Sequence, residues 1–170
     1  MPPLYDASCR LWPRTDEAYF RDRTFQALRQ DAFQCVSTVL GMLSGASPEA
    51  FRGRINTQDP VSWSEALQPY GMKLAYCPTD VRKLKHYMDE LVALDDLFTL
   101  SYYTTTNPEV LLGEPDSAGW LTGSHIVLLH RSKILDSQYG TETEASDHYC
   151  NDCHTKRIFR VVPADHPRGL

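Results

Sequence analysis

An α+β domain, with N-terminal helices packed on an antiparallel sheet, is the architecture this sequence predicts. Two observations carry that expectation. Apolar residues at helical spacing dominate the first half of the chain, whereas strand-like apolar runs gather in the second. The two kinds of element do not alternate regularly, as a parallel βαβ sheet would require. The 170 residues suffice for one domain with its own core, and no repeat, low-complexity tract or linker divides residues 1–170.

The elements follow in order. Residues 1–14 are Pro-rich and predict irregular chain. Thr15 opens a predicted helix reaching about Arg29, with Asp16 and Glu17 suited to the positive end of its dipole. A second helix starts near Cys35, where Val36, Val39, Leu40 and Leu43 form one apolar stripe, and Gly45 supplies its stop. Ser47-Pro48-Glu49 reads as another helix start, with a capping serine and proline at the first helical position. Ser62-Trp63-Ser64-Glu65 matches a capping box, and its helix must be short because Pro69 and Gly71 follow.

Lys73–Cys77 predicts a strand. Thr79 or Asp80 then caps a helix with Val81, Leu84, Tyr87, Met88 and Leu91 along one side. Leu97–Tyr103 predicts a buried strand, residues 104–119 a polar loop, and residues 124–137 a hairpin. The acidic stretch Thr141–Asp147 belongs to a predicted surface loop spanning 141–155, and Lys156–Val162 predicts the last strand.

Bulk chemistry excludes several classes. A net charge of −5 with no basic stripe argues against a nucleic-acid binder held by phosphate contacts. No apolar run approaches the roughly 20 residues that span a bilayer. Met1–Asp6 lacks the basic and apolar regions of a signal peptide, and five cysteines cannot all pair, so a reducing cytoplasm is the expected compartment. Cys9 and Cys77 read as small packing residues.

The candidate chemistry lies in Cys35, His125 and Asp136. Cys35 stands where the polar stretch Gln30–Gln34 meets an apolar helix. A thiol at a helix start faces the positive end of the dipole, which favours the thiolate, and first-turn amides there can stabilise an oxyanion. Gln30 and Gln34 are candidates to complete that oxyanion hole. His125 opens the run His125-Ile126-Val127-Leu128-Leu129, and Asp136 closes Lys133–Asp136. Symmetric pairing about a turn near His130-Arg131 sets His125 directly opposite Asp136, where a carboxylate can fix the imidazole tautomer. Apolar residues on both faces of the histidine strand predict a central strand covered on both sides.

These residues resemble the papain-like cysteine peptidase superfamily, and most closely its small bacterial and phage branches, including bacteriocin-processing peptidase domains. Cys35 matches the nucleophile that opens the first core helix, Gly123-Ser124-His125 the histidine strand, and Asp136 the third triad member. Trp63-Ser64-Glu65-Ala66-Leu67 followed by Gly71-Met72-Lys73-Leu74 is similar to the helix-then-strand segment of such domains. The likeness spans about residues 26–140. It departs at the oxyanion glutamine, since Arg29 stands at the usual position and Gln30 one residue on. Val36 follows the cysteine where glycine is common. The resemblance implies a papain-like fold and a peptidase or amidase that acts on peptide or protein substrates without a cofactor. The same triad serves an acyltransferase or deamidase, and the competing class is a catalytically silent binding protein or effector.

A second cluster, His148-Tyr149-Cys150-Asn151-Asp152-Cys153-His154, offers His148, Cys150, Cys153 and His154 as weak metal candidates. All four ligands would come from seven residues with no second cysteine pair, so a solvated loop is the stronger expectation and a metal-dependent regulator the weaker. Cys150-x-x-Cys153-His154 also matches haem attachment, which the expected compartment disfavours. The segment Asn56–Pro60 and the loop 104–119 are candidate cleft borders. Trp63, Tyr102, Tyr103 and Trp120 are candidate pocket aromatics, with core packing the commoner role for such residues.

Overall fold

The computed structural model describes residues 11–13, 17–31, 34–104 and 123–170. Cys9, the predicted start at Thr15, most of the predicted loop 104–119 and Trp120 lie outside them.

The chain forms an α+β fold. Helix α1 (Cys35–Ser44) begins at Cys35 and stops at Gly45, whose φ of 77° suits a residue without a Cβ. Helix α2 (Pro60–Leu67) follows a single 3₁₀ turn at Pro48–Ala50. Strand β1 (Met72–Cys77) and helix α3 (Lys85–Leu94) come next, then β2 (Leu97–Tyr103), β3 (Ser124–His130), β4 (Lys133–Asp136), β5 (Thr141–Glu144) and β6 (Thr155–Pro163). The six strands make one sheet in the order β1-β6-β2-β3-β4-β5, and every neighbouring pair is antiparallel.

Both faces of the sheet are covered. Leu74, Leu97, Ile126, Leu128, Leu135 and Phe159 pack with α1 and α2 on one face. Phe98, Leu100, Val127, Leu129, Ile134 and Ile158 pack with α3 and Trp12 on the other. Strand β3 is thus central and doubly covered, as its two apolar faces predict. The burial of α3 behind the sheet makes three layers rather than the two of a helical part against a sheet.

Four local expectations are overturned. No helix occupies residues 17–29, where the backbone is engaged by tertiary partners instead. Tyr19 and Phe20 donate their amides to the Asp96 carboxylate at 2.9 and 2.8 Å, and Gln30 donates to the Ser137 carbonyl at 2.7 Å. The capping box at Ser62 is not used. Asp59 caps α2 by accepting from the Val61 amide at 3.1 Å, and Pro60 takes the first position. Asp80 accepts the Arg82 amide in a tight turn before α3 and leaves Val81 exposed. Residues 141–155 are not a surface loop. Thr141–Glu144 pairs along β4 as a charged edge strand, and the following 3₁₀ turns bury Ala145, His148 and Cys150.

Candidate functional site

The start of α1, the first residues of β3 and the end of β4 meet at one end of the sheet. Cys35 is the first residue of α1, a position whose amide has no carbonyl four residues back to bond. Its thiol is half-buried and sits beside the His125 imidazole, close enough to raise its basicity. His125 Nε2 lies 2.8 Å from Asp136 Oδ1. With Nε2 taken by the carboxylate, Nδ1 is the ring nitrogen left for the thiol.

The hairpin register differs from the sequence-based count. Leu128 pairs with Leu135, Leu129 with Ile134 and His130 with Lys133 about a two-residue turn at Arg131-Ser132. Arg131 adopts φ 59° there. Continuing that register sets Asp136 opposite Val127, so His125 and Asp136 meet diagonally rather than face to face. A shift of two residues keeps side chains on the same face, which is why the contact survives the change.

Electrostatics reinforce the arrangement. Burial alone lowers the basicity of His125, but the hydrogen bonds and charges of Asp136 and Cys35 outweigh it and push its pKa up to about 9. Burial likewise opposes ionisation of Asp136. Hydrogen bonds from His125, His148 and the Gln138 amide overcome it and hold this carboxyl well below the usual carboxylate range.

His148 is the partner that sequence reasoning assigned elsewhere. Its Nε2 lies 2.8 Å from Asp136 Oδ2, and its Nδ1 accepts the Cys150 amide at 3.0 Å. Because Nδ1 is the acceptor, the Nε2 proton faces the carboxylate. Asp136 is thereby held on both oxygens, with side-chain exposure of only 1%. No spacing rule connects His148 to Asp136. The one local signal is a histidine preceding a turn whose amide it can cap.

The remaining cluster does not assemble as a ligand set. Cys150 is buried, which pushes its thiol up to about 12. Cys153 Sγ lies 3.8 Å from the Tyr149 carbonyl, and exposed His154 bonds the Val81 carbonyl through Nδ1 at 2.8 Å. Among the described residues, no group of three or more histidine, cysteine or acidic side chains is placed to hold a metal ion.

The two glutamines take different positions. Gln30 Oε1 accepts from Ser137 Oγ at 2.7 Å, which anchors the carboxamide beside the residue that follows Asp136. Gln34 precedes Cys35 at the N-cap of α1 without capping it, and its Oε1 is buried with no hydrogen-bond partner.

Tyr102 is fully buried and stands edge-on to the His125 ring, with centroids 5.8 Å apart. Its hydroxyl donates to that of Tyr149 at 2.8 Å, and Tyr149 stacks on His148 at 4.5 Å. Burial and that hydrogen bond hold the Tyr102 phenol far above its ordinary range. Trp63 is buried under the sheet and donates to the Asn56 carbonyl at 2.8 Å, so it is a core residue that pins the Asn56–Pro60 turn. Half-buried Tyr103 carries the Lys156 ammonium 5.9 Å from its ring centre. Tyr149 and Lys156 are the neighbours that sequence reasoning missed.

The sequence matches no protein-family model, and no curated protein is significantly similar to it. Among the described residues, no helix is long and apolar enough to cross a membrane.

Proposed function

We propose that this chain is a papain-like thiol hydrolase, a peptidase or amidase that works through a thioacyl-enzyme. The observation that carries the reading is the His125 imidazole shared between the Cys35 thiol and the Asp136 carboxylate, with the carboxylate contact at 2.8 Å. Cys35 passes its thiol proton to His125 and its sulfur attacks a substrate carbonyl, and the new C–S bond leaves a negative charge on the carbonyl oxygen. The Cys35 backbone amide and a carboxamide from Gln30 or Gln34 stabilise that charge. As the intermediate collapses, His125 gives its proton to the departing amine. It then takes a proton from the water that cleaves the thioester, which releases the acid and restores the thiol. Asp136 orients the ring throughout, and His148 holds Asp136.

Thiol alkylation tests this reading. Iodoacetamide near neutral pH should modify Cys35 faster than it modifies 2-mercaptoethanol, as read by peptide mass mapping. His125→Ala should slow that modification by about a hundredfold or more, the lower end of an acid–base contribution. A Cys35 that labels no faster than the small thiol, and is indifferent to His125→Ala, sinks the enzyme reading and leaves a binding protein.

A further inference from the structure

Within reach of the histidine strand, β6 carries an irregularity at two consecutive cations. Ser101 of β2 pairs with Arg157, and Tyr102 pairs with Thr155, so Lys156 has no residue opposite it and forms a bulge. Bulges next to functional sites re-aim side chains that regular alternation would point away. Here Lys156 Nζ reaches Ser124 Oγ at 3.3 Å, the residue immediately before His125. Its charge is also within coupling range of Cys35 and of Arg157. The Arg157 guanidinium lies over the Trp63 ring, 5.7 Å from its centre, and its Nε is buried with no hydrogen-bond partner.

Two half-buried cations on consecutive residues, within coupling range of each other, repel and have each lost hydration, so such a pair needs an anion to offset its cost. Among the described residues, neither forms an ion pair. Asp59, whose charge reaches Arg157, is committed by its Oδ1 to capping α2.

We propose that Lys156 and Arg157 form an anion-recognising subsite beside Cys35, which directs the site to substrates with a carboxylate flanking the scissile carbonyl. The proposal rests on the thiol-hydrolase reading, and it supplies the substrate class. The carboxylate accepts from the Lys156 ammonium and from the Arg157 Nε–H, the buried donor that lacks a partner. A neutral flanking group that offers no acceptor would leave the Arg157 Nε–H unpaired.

Iodoacetate and iodoacetamide test the subsite, since they differ only by a carboxylate in place of a carboxamide. In both reactions the Cys35 sulfur forms a bond to the methylene carbon and iodide leaves. The quantity read is the ratio of the iodoacetate rate to the iodoacetamide rate at Cys35, divided by the same ratio for 2-mercaptoethanol. At low salt it should be roughly fivefold or more above one, the factor of one close charge pair in water. High salt should bring it toward one. The double substitution Lys156→Gln/Arg157→Gln should abolish it, and Lys156→Arg/Arg157→Lys should retain it. A ratio of one or below, alongside fast labelling by iodoacetamide that depends on His125, overturns the subsite and leaves the hydrolase standing. A preserved ratio alongside slow labelling indifferent to His125 keeps the anion site and removes the hydrolase reading with its substrate class.

Discussion

The state of one imidazole decides what the three groups can do. His125 is held between the Cys35 thiol and the Asp136 carboxylate, and its pKa of about 9 keeps the ring protonated at neutral pH. That has a consequence for stability. His125 is raised from 6.5 to about 9, so its contribution is fully present below about pH 6.5 and is lost as pH rises through 9. Asp136 is shifted the other way, so its contribution is present above its ordinary value of 3.8 and is lost as pH falls below it. The two shifts share one ion pair, supported by Cys35 and His148, on the order of 3 kcal/mol, and its window lies between the two limits. Urea unfolding of the protein and of His125→Ala should therefore differ most near pH 5–6, and the difference should shrink above about pH 9. A gap that stays constant across that range would remove the ion pair. At this scale the sequence was informative about which groups to examine and silent about their neighbours. Thiol, imidazole and carboxylate stand out by type and local context. His148 does not, because its link to Asp136 is made by the fold of residues 145–152 around Cys150 rather than by any spacing.

At the scale of elements, local signals succeeded where the chain's own neighbours decide the outcome. Helix α1 was legible from its apolar stripe and from Gly45, and β2 from its unbroken apolar run. The hairpin was legible in place but not in register, since the turn is set by Arg131 in the left-handed region and by the bond from its amide to the Asp96 carbonyl. The segment before Cys35 forms no helix, against the sequence expectation, because its partners Asp96 and Ser137 are distant in sequence. One of those contacts is testable. Gly140 closes the turn between β4 and β5 with φ 66°, and a Cβ built there would come within 3.0 Å of the Arg29 Cβ. Gly140→Ala should cost about 1–2 kcal/mol in the left-handed conformation alone. It should also push away the segment that carries Gln30, whose amide donates to the Ser137 carbonyl at 2.7 Å. Urea denaturation and Cys35 alkylation of the same sample read the two effects. A variant as stable as the parent would show that this close approach is not made.

Across the whole molecule, the order of the sheet was the least legible feature. Strand β6, last in the chain, lies between β1 and β2, and no periodicity in residues 155–163 says which strands they separate. What β6 does there is anchor a buried ion pair. Arg160 and Asp96 are both fully buried with Nη2 and Oδ2 2.7 Å apart, and Asp96 also accepts the Tyr19 and Phe20 amides. Removing the carboxylate leaves a buried guanidinium with only the Glu17 carbonyl and no counter-charge, and two amides without their acceptor, so Asp96→Ala should destabilise the fold by about 3–5 kcal/mol. Replacing the pair as Asp96→Asn/Arg160→Met should recover part of that loss, because the methionine carries no charge and the asparagine oxygen still accepts from one of the two amides. Asp96 immediately precedes Leu97, which pairs with His130, whereas the site lies at the Tyr102–His125 end of the same two strands. The five-residue rise of strand between Leu97 and Tyr102 spans about 16 Å. Stability and thiol chemistry should therefore separate: under conditions where Asp96→Ala remains folded, its Cys35 should label with iodoacetamide at the parent rate. A slowed rate in the folded variant would mean that the geometry around His125 depends on the far end of the sheet.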